Sequence, residues 1–359
     1  MVSLADASGA ATRLIESNIK SNVTSPDVLN GIFGRLAQSN SLPDWVKALN
    51  IQFKAFTSSN STETGLGFSY DFTKSLQSVP LSKTNINPVM ISLDVFAKGN
   101  VAFEERLNPN DFLESGASLH LWHSTGAKYD YVPQVDDFAV AEYLRDKHYQ
   151  TMSELEADPK WIAFAKDFDR QYPHQFFWDF NFHGKLESNQ SFSRKQGVYG
   201  GSVDLAFRSW DPDSPWTRLN LFDWPFALTR MLGGEGWSPN GRFIPSLTAG
   251  VDLVDPYDDK DRLAIDSDSS PYPRFNFEVS LKSRVLTIDN KDIWISATYK
   301  IFQEIGPSSA IRMANFDTQQ FIAVELSLPW NFAITYSNGK LPLDRKSDSS
   351  IALGYKLNF

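Results

Sequence analysis

A chain of 359 residues with no cysteine cannot use disulfides, thiol nucleophiles or Cys-ligated metals. Its formal charge of −9 and its lack of any Lys/Arg run disfavour a nucleic-acid partner, because phosphate binding needs a concentrated basic face. The five histidines, at 120, 123, 148, 174 and 183, show no HExxH or other ligand spacing, so neither a metal nor a cofactor is expected.

Residues 1–48 read as a helical segment. Ser25, Pro26 and Asp27 supply an N-cap, an N1 proline and a first-turn acid ahead of Val28, Leu29, Ile32, Phe33 and Leu36 on one face. The segment is expected as a unit of its own, and a plug inside the domain that follows and a helix packed on its outer rim are both open. Its start lacks the basic residues and apolar core of a signal peptide, which leaves a removed leader and no leader both open.

From residue 49 the period changes to two. Leu49, Ile51, Phe53 and Ala55 oppose Asn50, Gln52 and Lys54; Leu66, Phe68, Tyr70 and Phe72 oppose Gly67, Ser69, Asp71 and Thr73. The alternation continues through 89–95, 117–121, 176–182, 203–208, 247–253, 275–281 and 293–301. A helical insertion at about 128–175 interrupts it, with Trp161, Phe164, Ala165, Phe168 and Tyr172 at helical spacing. Residues 219–231 alternate poorly, and a strand and an aromatic loop are both open there. The stretch 322–336 keeps apolar residues at even positions through Pro329, as one long strand or two joined by an odd-length turn would. The total is about twelve strands. No run approaches the ~20 apolar residues of a membrane-spanning helix, but barrel strands would escape that test.

The polar faces carry Lys54, Asp71, Asp94, Asp179, Asp204, Arg208, Asp252, Glu278, Lys282, Arg284, Lys300 and Glu325, together with Lys98, Lys185 and Lys356. In a barrel these would line the pore, acids and bases pairing across it. Trp122, Trp178, Trp210, Trp294, Trp330, Tyr355 and Phe359 fall near strand ends, where interfacial girdles lie. Connections 75–88, 126–175, 210–218, 255–272, 303–317 and 338–348 are expected together at the outer end, with shorter turns such as 59–63 and 287–291 opposite.

The chain finishes "IALGYKLNF", with Ile351, Leu353, Tyr355, Leu357 and Phe359 on one face. This ending resembles the assembly signal of Gram-negative outer-membrane β-barrel proteins, matched by Leu353, Tyr355, Leu357 and Phe359. The resemblance reaches the superfamily and no subfamily. It implies an antiparallel transmembrane β-barrel at 49–359, in the membrane lipid of a bacterial outer membrane, inserted by the outer-membrane assembly machinery. The missing signal peptide departs from the pattern and leaves a mitochondrial-type barrel open.

For chemistry, "LHLWHSTG" places His123 and Thr125 two residues apart. Outer-membrane phospholipases look similar in their His and Ser spacing, but here Ser124 points to the other face and the Asn is absent. No catalytic residue is assigned. The acidic loop "DPYDDKDRLAIDSDSS" lacks the register of an EF-hand and reads as a solvated surface. The expected function is a channel or transporter for a small polar solute; the other readings are an outer-membrane lipid hydrolase and a translocator whose helix threads the pore.

Overall fold

The computed structural model describes residues 49–59, 61, 63–81, 89–125, 158–171, 174–209, 215–237, 239–240, 244–288, 291–344 and 346–357. The helical reading of 1–48, Trp210 and the terminal Phe359 lie outside these. Residues 49–357 form one unit, and it is a barrel.

Its strands are β1 (Leu49–Ser58), β2 (Thr64–Pro80), β3 (Val89–Ala102), β4 (Leu113–Thr125), β5 (His174–Ser188), β6 (Lys195–Ser209), β7 (Ser246–Asp258), β8 (Tyr272–Ile288), β9 (Lys291–Glu304), β10 (Thr318–Ser327), β11 (Phe332–Gly339) and β12 (Asp348–Leu357). Each pairs antiparallel with its sequence neighbours, and β1 closes on β12, with Phe53 opposite Tyr355 and Ala55 opposite Leu353. Closure leaves no strand edge, and every strand satisfies its backbone through its two neighbours.

Alternation at period two sorts the side chains. Leu66, Leu119, Phe180, Phe182, Leu205, Val251, Phe275, Ile322, Ile334, Ile351 and Leu353 point outward, each more than a third exposed. Water rarely tolerates contiguous apolar surface beyond a few hundred Å². A wall that is apolar all round has lipid as its solvent, and the chain is a transmembrane β-barrel. No helix among the described residues is long and apolar enough to cross a membrane.

Irregularities sit where alternation breaks. The register shifts between Ser75 and Gln77, between Lys195 and Gly197, and between Arg284 and Leu286. After the first shift Val79 faces outward opposite Ile91, and after the last Leu286 does so opposite Ile293. The stretch 322–336 is two strands. Trp330 and Asn331, both left-handed at φ 62° and 65°, turn the chain so that Ser327 meets Ala333, and the odd number of residues between preserves parity.

Residues 219–231 form no strand. A helix, Trp224–Leu232, occupies most of the stretch, started by Pro225 and docked on β8. The buried Arg230 guanidinium reaches Asp223 at 2.6 Å, Asp223 accepts from Ser283 of β8, and Thr229 donates to the Val285 carbonyl at 2.9 Å. In the insertion, helix Pro159–Gln171 is capped by Asp158, which accepts from the Lys160 N–H at 2.8 Å, and Trp161 stacks against Phe164 at 5.6 Å.

Removing a strand at 219–231 reverses the expected loop placement. Connections 81–88, 126–173, 210–245, 289–290 and 328–331 share the end with the C-terminus of β12, whereas 59–63, 103–112, 189–194, 259–271, 305–317 and 340–347 lie at the far end. The expected outer set is thus divided between the two ends, and the two longest connections are on the C-terminal side. Two aromatics also leave the girdle. Trp122 shares the inner face of β4 with Ser118 and His120 and packs against Phe177, and Trp294 lines the lumen under Lys282 at 5.2 Å. Trp178, Trp330 and Tyr355 face outward.

A luminal chamber with two charged clusters

The inner faces enclose a cavity of about 960 Å³, running from Asn50, Leu328, Asn331 and Lys356 at the C-terminal end to Phe112, Glu187 and Leu341 at the far end. Of the sequence-selected residues, Asp71, Asp94, Asp204, Asp252, Glu278, Lys282, Lys300 and Glu325 line it. Lys54 stands on the inner face of β1 opposite Gly67 and Gly354. Arg208 lies 5.1 Å over Phe177, and Arg284 pairs with Glu235 of the 210–245 connection at 2.6 Å. Acids and bases neutralise one another locally: Lys300 meets Glu278 at 2.8 Å and Lys98 meets Asp71 at 3.9 Å.

One cluster lies toward the far end. Arg274 of β8 makes two hydrogen bonds to Glu187 of β5, at 3.0 and 2.8 Å, and a third to Asp252 of β7 at 2.9 Å. Lys185 bridges Glu187 at 3.1 Å and Glu114 at 3.0 Å, Gln196 donates to Glu187 at 2.7 Å, and His183 reaches Asp252 at 3.1 Å. Glu187 and Arg274 are 0% and 2% exposed, so each charge depends on its partners for solvation. The His183–Asp252 bond crosses β6 at Gly200, where an added Cβ would come within 2.2 Å of Asp252 Oδ1.

A second cluster sits on β4 and β5. The Ser118 Oγ and His120 Nε2 are 2.8 Å apart, and His120 Nδ1 is 2.6 Å from Asp179 Oδ2. Asp94, opposite Ser118 on β3, brings Oδ2 to 3.7 Å from His120 Nε2. Nearby, Asp204 accepts from Thr248. The pair picked out by spacing is elsewhere: His123 stacks on Trp178 of the outer wall at 5.0 Å, and Thr125 donates to the Phe176 carbonyl at 3.5 Å.

Connections at the far end fold over the chamber. Leu107 is buried with Phe56, Ala102 and Ala352, and Asn110 donates to Ser337 of β11 at 3.1 Å, so the 103–112 connection reaches across the lumen. Arg194 ties this connection to two more: it approaches Asp111 at 3.4 Å, donates to the Leu343 carbonyl and lies 3.6 Å from Asp261. Burial pushes the Asp344 carboxyl up to about 7 and raises Asp111 and Asp259 as well, while it lowers the Lys340 ammonium.

Glu114, Glu187, Arg274, Ser118 and His183 were not singled out from sequence. The first three lie at strand ends, beyond the span in which alternation is clear; extending the phase of Asp179 to 187 and of Asn276 back to 274 would have found two of them. Among the described residues no group of three or more acids and histidines is arranged to hold a metal ion.

No protein-family model matches the chain, and no curated protein matches it. Among solved structures it is similar to the translocator domain of the autotransporter NalP from Neisseria meningitidis, at 9% identity over 98% of this chain and 100% of that one, TM-score 0.24. The beta domain of the Bordetella autotransporter BrkA gives 9% identity over 87% and 100%, TM-score 0.26. A mutant Rh. blastica porin gives 7% over 86% and 99%, TM-score 0.22. With likenesses this distant, the membrane assignment rests on the wall of the barrel itself.

Proposed function

We propose that the protein is an outer-membrane channel or uptake barrel that admits a small polar solute to its lumen from the C-terminal end of the strands. The observation that carries this reading is the luminal chamber of about 960 Å³, whose lining sets lysines against carboxylates in local pairs rather than presenting one sign of charge. Such a lining favours a neutral, hydrogen-bonding solute over a simple ion. The even count of twelve strands supports a bacterial outer membrane, and the outward Leu353 and Tyr355 of β12 are the surface that the assembly machinery would engage.

The far-end connections set the barrier to passage. Arg194 joins the connections that carry Asp111, Asp261 and Leu343, so its removal loosens their hold on one another. In planar bilayers the wild-type barrel is expected to show small conductance, and Arg194→Ala larger conductance, with heat-modifiable migration on gels kept in both. Folded barrels that conduct nothing in either form would end the channel reading.

A further inference from the structure

We infer that the chamber also holds an ester-hydrolysing site, in which Ser118 is the nucleophile, His120 the base and Asp179 the carboxylate that positions the base. Ser118 and His120 are two residues apart on β4 and share its inner face. The β4–β5 register sets Asp179 opposite Trp122, two pairs from His120 and Asn181 and the next to face inward, which brings its carboxylate to the far side of the imidazole. With Nδ1–H donating to Asp179 at 2.6 Å, Nε2 is left to accept the Ser118 hydroxyl at 2.8 Å. Nucleophile, base and orienting acid are therefore joined in the order that acyl transfer requires. Asp94, 3.7 Å from Nε2, adds a second negative charge facing the imidazolium that forms during the reaction.

Ser118 and His120 both line the chamber, so a solute that enters it meets them. Around the site, buried acceptors outnumber their donors. Asp94 Oδ1, Asp179 Oδ1, Asn181 Oδ1 and Asn276 Oδ1 are buried without a hydrogen-bond partner. The carboxylates that line the chamber, Asp71, Glu278 and Glu325 among them, suit a small carboxylic ester whose alcohol part carries hydroxyl or ammonium donors. Strand N–H groups are consumed in the ladder, so the oxyanion needs a side-chain donor. Asn181, opposite His120 on β5 and lining the chamber, carries the side-chain amide assigned to that role.

The steps balance without a cofactor. The Ser118 oxygen bonds to the ester carbon as its proton passes to His120 Nε2. The carbon–oxygen bond to the alcohol then breaks, and the departing oxygen takes that proton. Water, deprotonated by the same nitrogen, attacks the acyl-serine, releases the carboxylic acid and restores the Ser118 hydroxyl.

The test uses the folded full chain in detergent, with a fluorophosphonate reagent and p-nitrophenyl acetate as probes. Wild-type protein is expected to be phosphonylated, with the adduct mapped to Ser118 by mass spectrometry, and to hydrolyse the ester. Ser118→Ala is expected to abolish labelling, and His120→Ala to lower turnover by about 100-fold or more. Asp179→Asn, acting through the base, lowers kcat and leaves KM unchanged. Ser124→Ala, on the same face of β4, keeps full activity. Heat-modifiability confirms folding of each variant, and the adduct map on wild type decides the matter even where a variant fails to fold. A folded wild-type barrel that is not labelled, or an adduct on another serine, overturns the inference and leaves the channel reading untouched.

Discussion

Gly200 holds a position that no other residue fits, because the hydrogen bond between His183 on β5 and Asp252 on β7 passes directly over it. A methyl group there displaces Asp252 from both His183 and Arg274 and leaves buried charge without a partner. Gly200→Ala is expected to destabilise the barrel by about 1–3 kcal/mol in denaturant titrations in detergent, the cost of an unsatisfied buried polar group. Gly236→Ala, where an added Cβ meets nothing within 4 Å, is the control and should be neutral. At Asp344 the carboxyl is raised by burial from 3.8 to about 7, so the folded loop holds a proton that the released loop gives up. The stability it contributes is complete below pH 3.8, declines as pH rises, and is lost once pH passes about 7. Protection of residues 340–344, taken as the ratio of each amide's intrinsic rate to its observed rate, should therefore fall between those values, and Asp344→Asn should abolish that fall. None of this was legible in the sequence. Ser118 and His120 were visible as neighbours on one polar face, but Asp179 lies 59 positions from His120 and only the β4–β5 register brings it near.

Most of the strands were legible because their two faces meet different solvents, and each position is then constrained to one class of side chain. In β5 the constraint covers Phe176, Phe180 and Phe182 on the outside and Asp179, Asn181 and His183 within. Phe180→Arg places a charge on the lipid face and is expected to cost up to about 2–4 kcal/mol if it lies near the bilayer midplane, with Phe180→Leu nearly neutral. Folding into lipid vesicles, followed by the gel shift, measures both. Reading failed where an element answers to one neighbour rather than two solvents. In 219–231 the spacing of Trp224, Ala227, Leu228 and Met231 is helical, but the aromatic density and the short length hid it, and what fixes the helix is the distant Ser283 on β8. Trp122 misled in a similar way, since position near a strand end was weighed above the parity that turns it inward, whereas the parity of Trp294 already marks it as an apolar exception on the luminal face.

At the largest scale, residues 49–357 are a closed twelve-stranded wall whose far end is packed by its own connections. The misread helix cost more than one element, because adding or removing a strand exchanges the two ends for every loop on one side of it. Circular closure itself was only implied, since no local pattern specifies that β1 pairs with β12; complementary apolar faces on the first and last strands allow it. What the account depends on most is the assignment of lipid to the apolar face and water to the polar one. A spin-label scan along residues 176–183 of β5 in reconstituted bilayers tests this directly. Labels at 176, 178, 180 and 182 should collide with oxygen dissolved in the lipid, while labels at 177, 179, 181 and 183 should collide with a polar nickel chelate. The opposite phase, or equal access of the chelate to both sets, would contradict it.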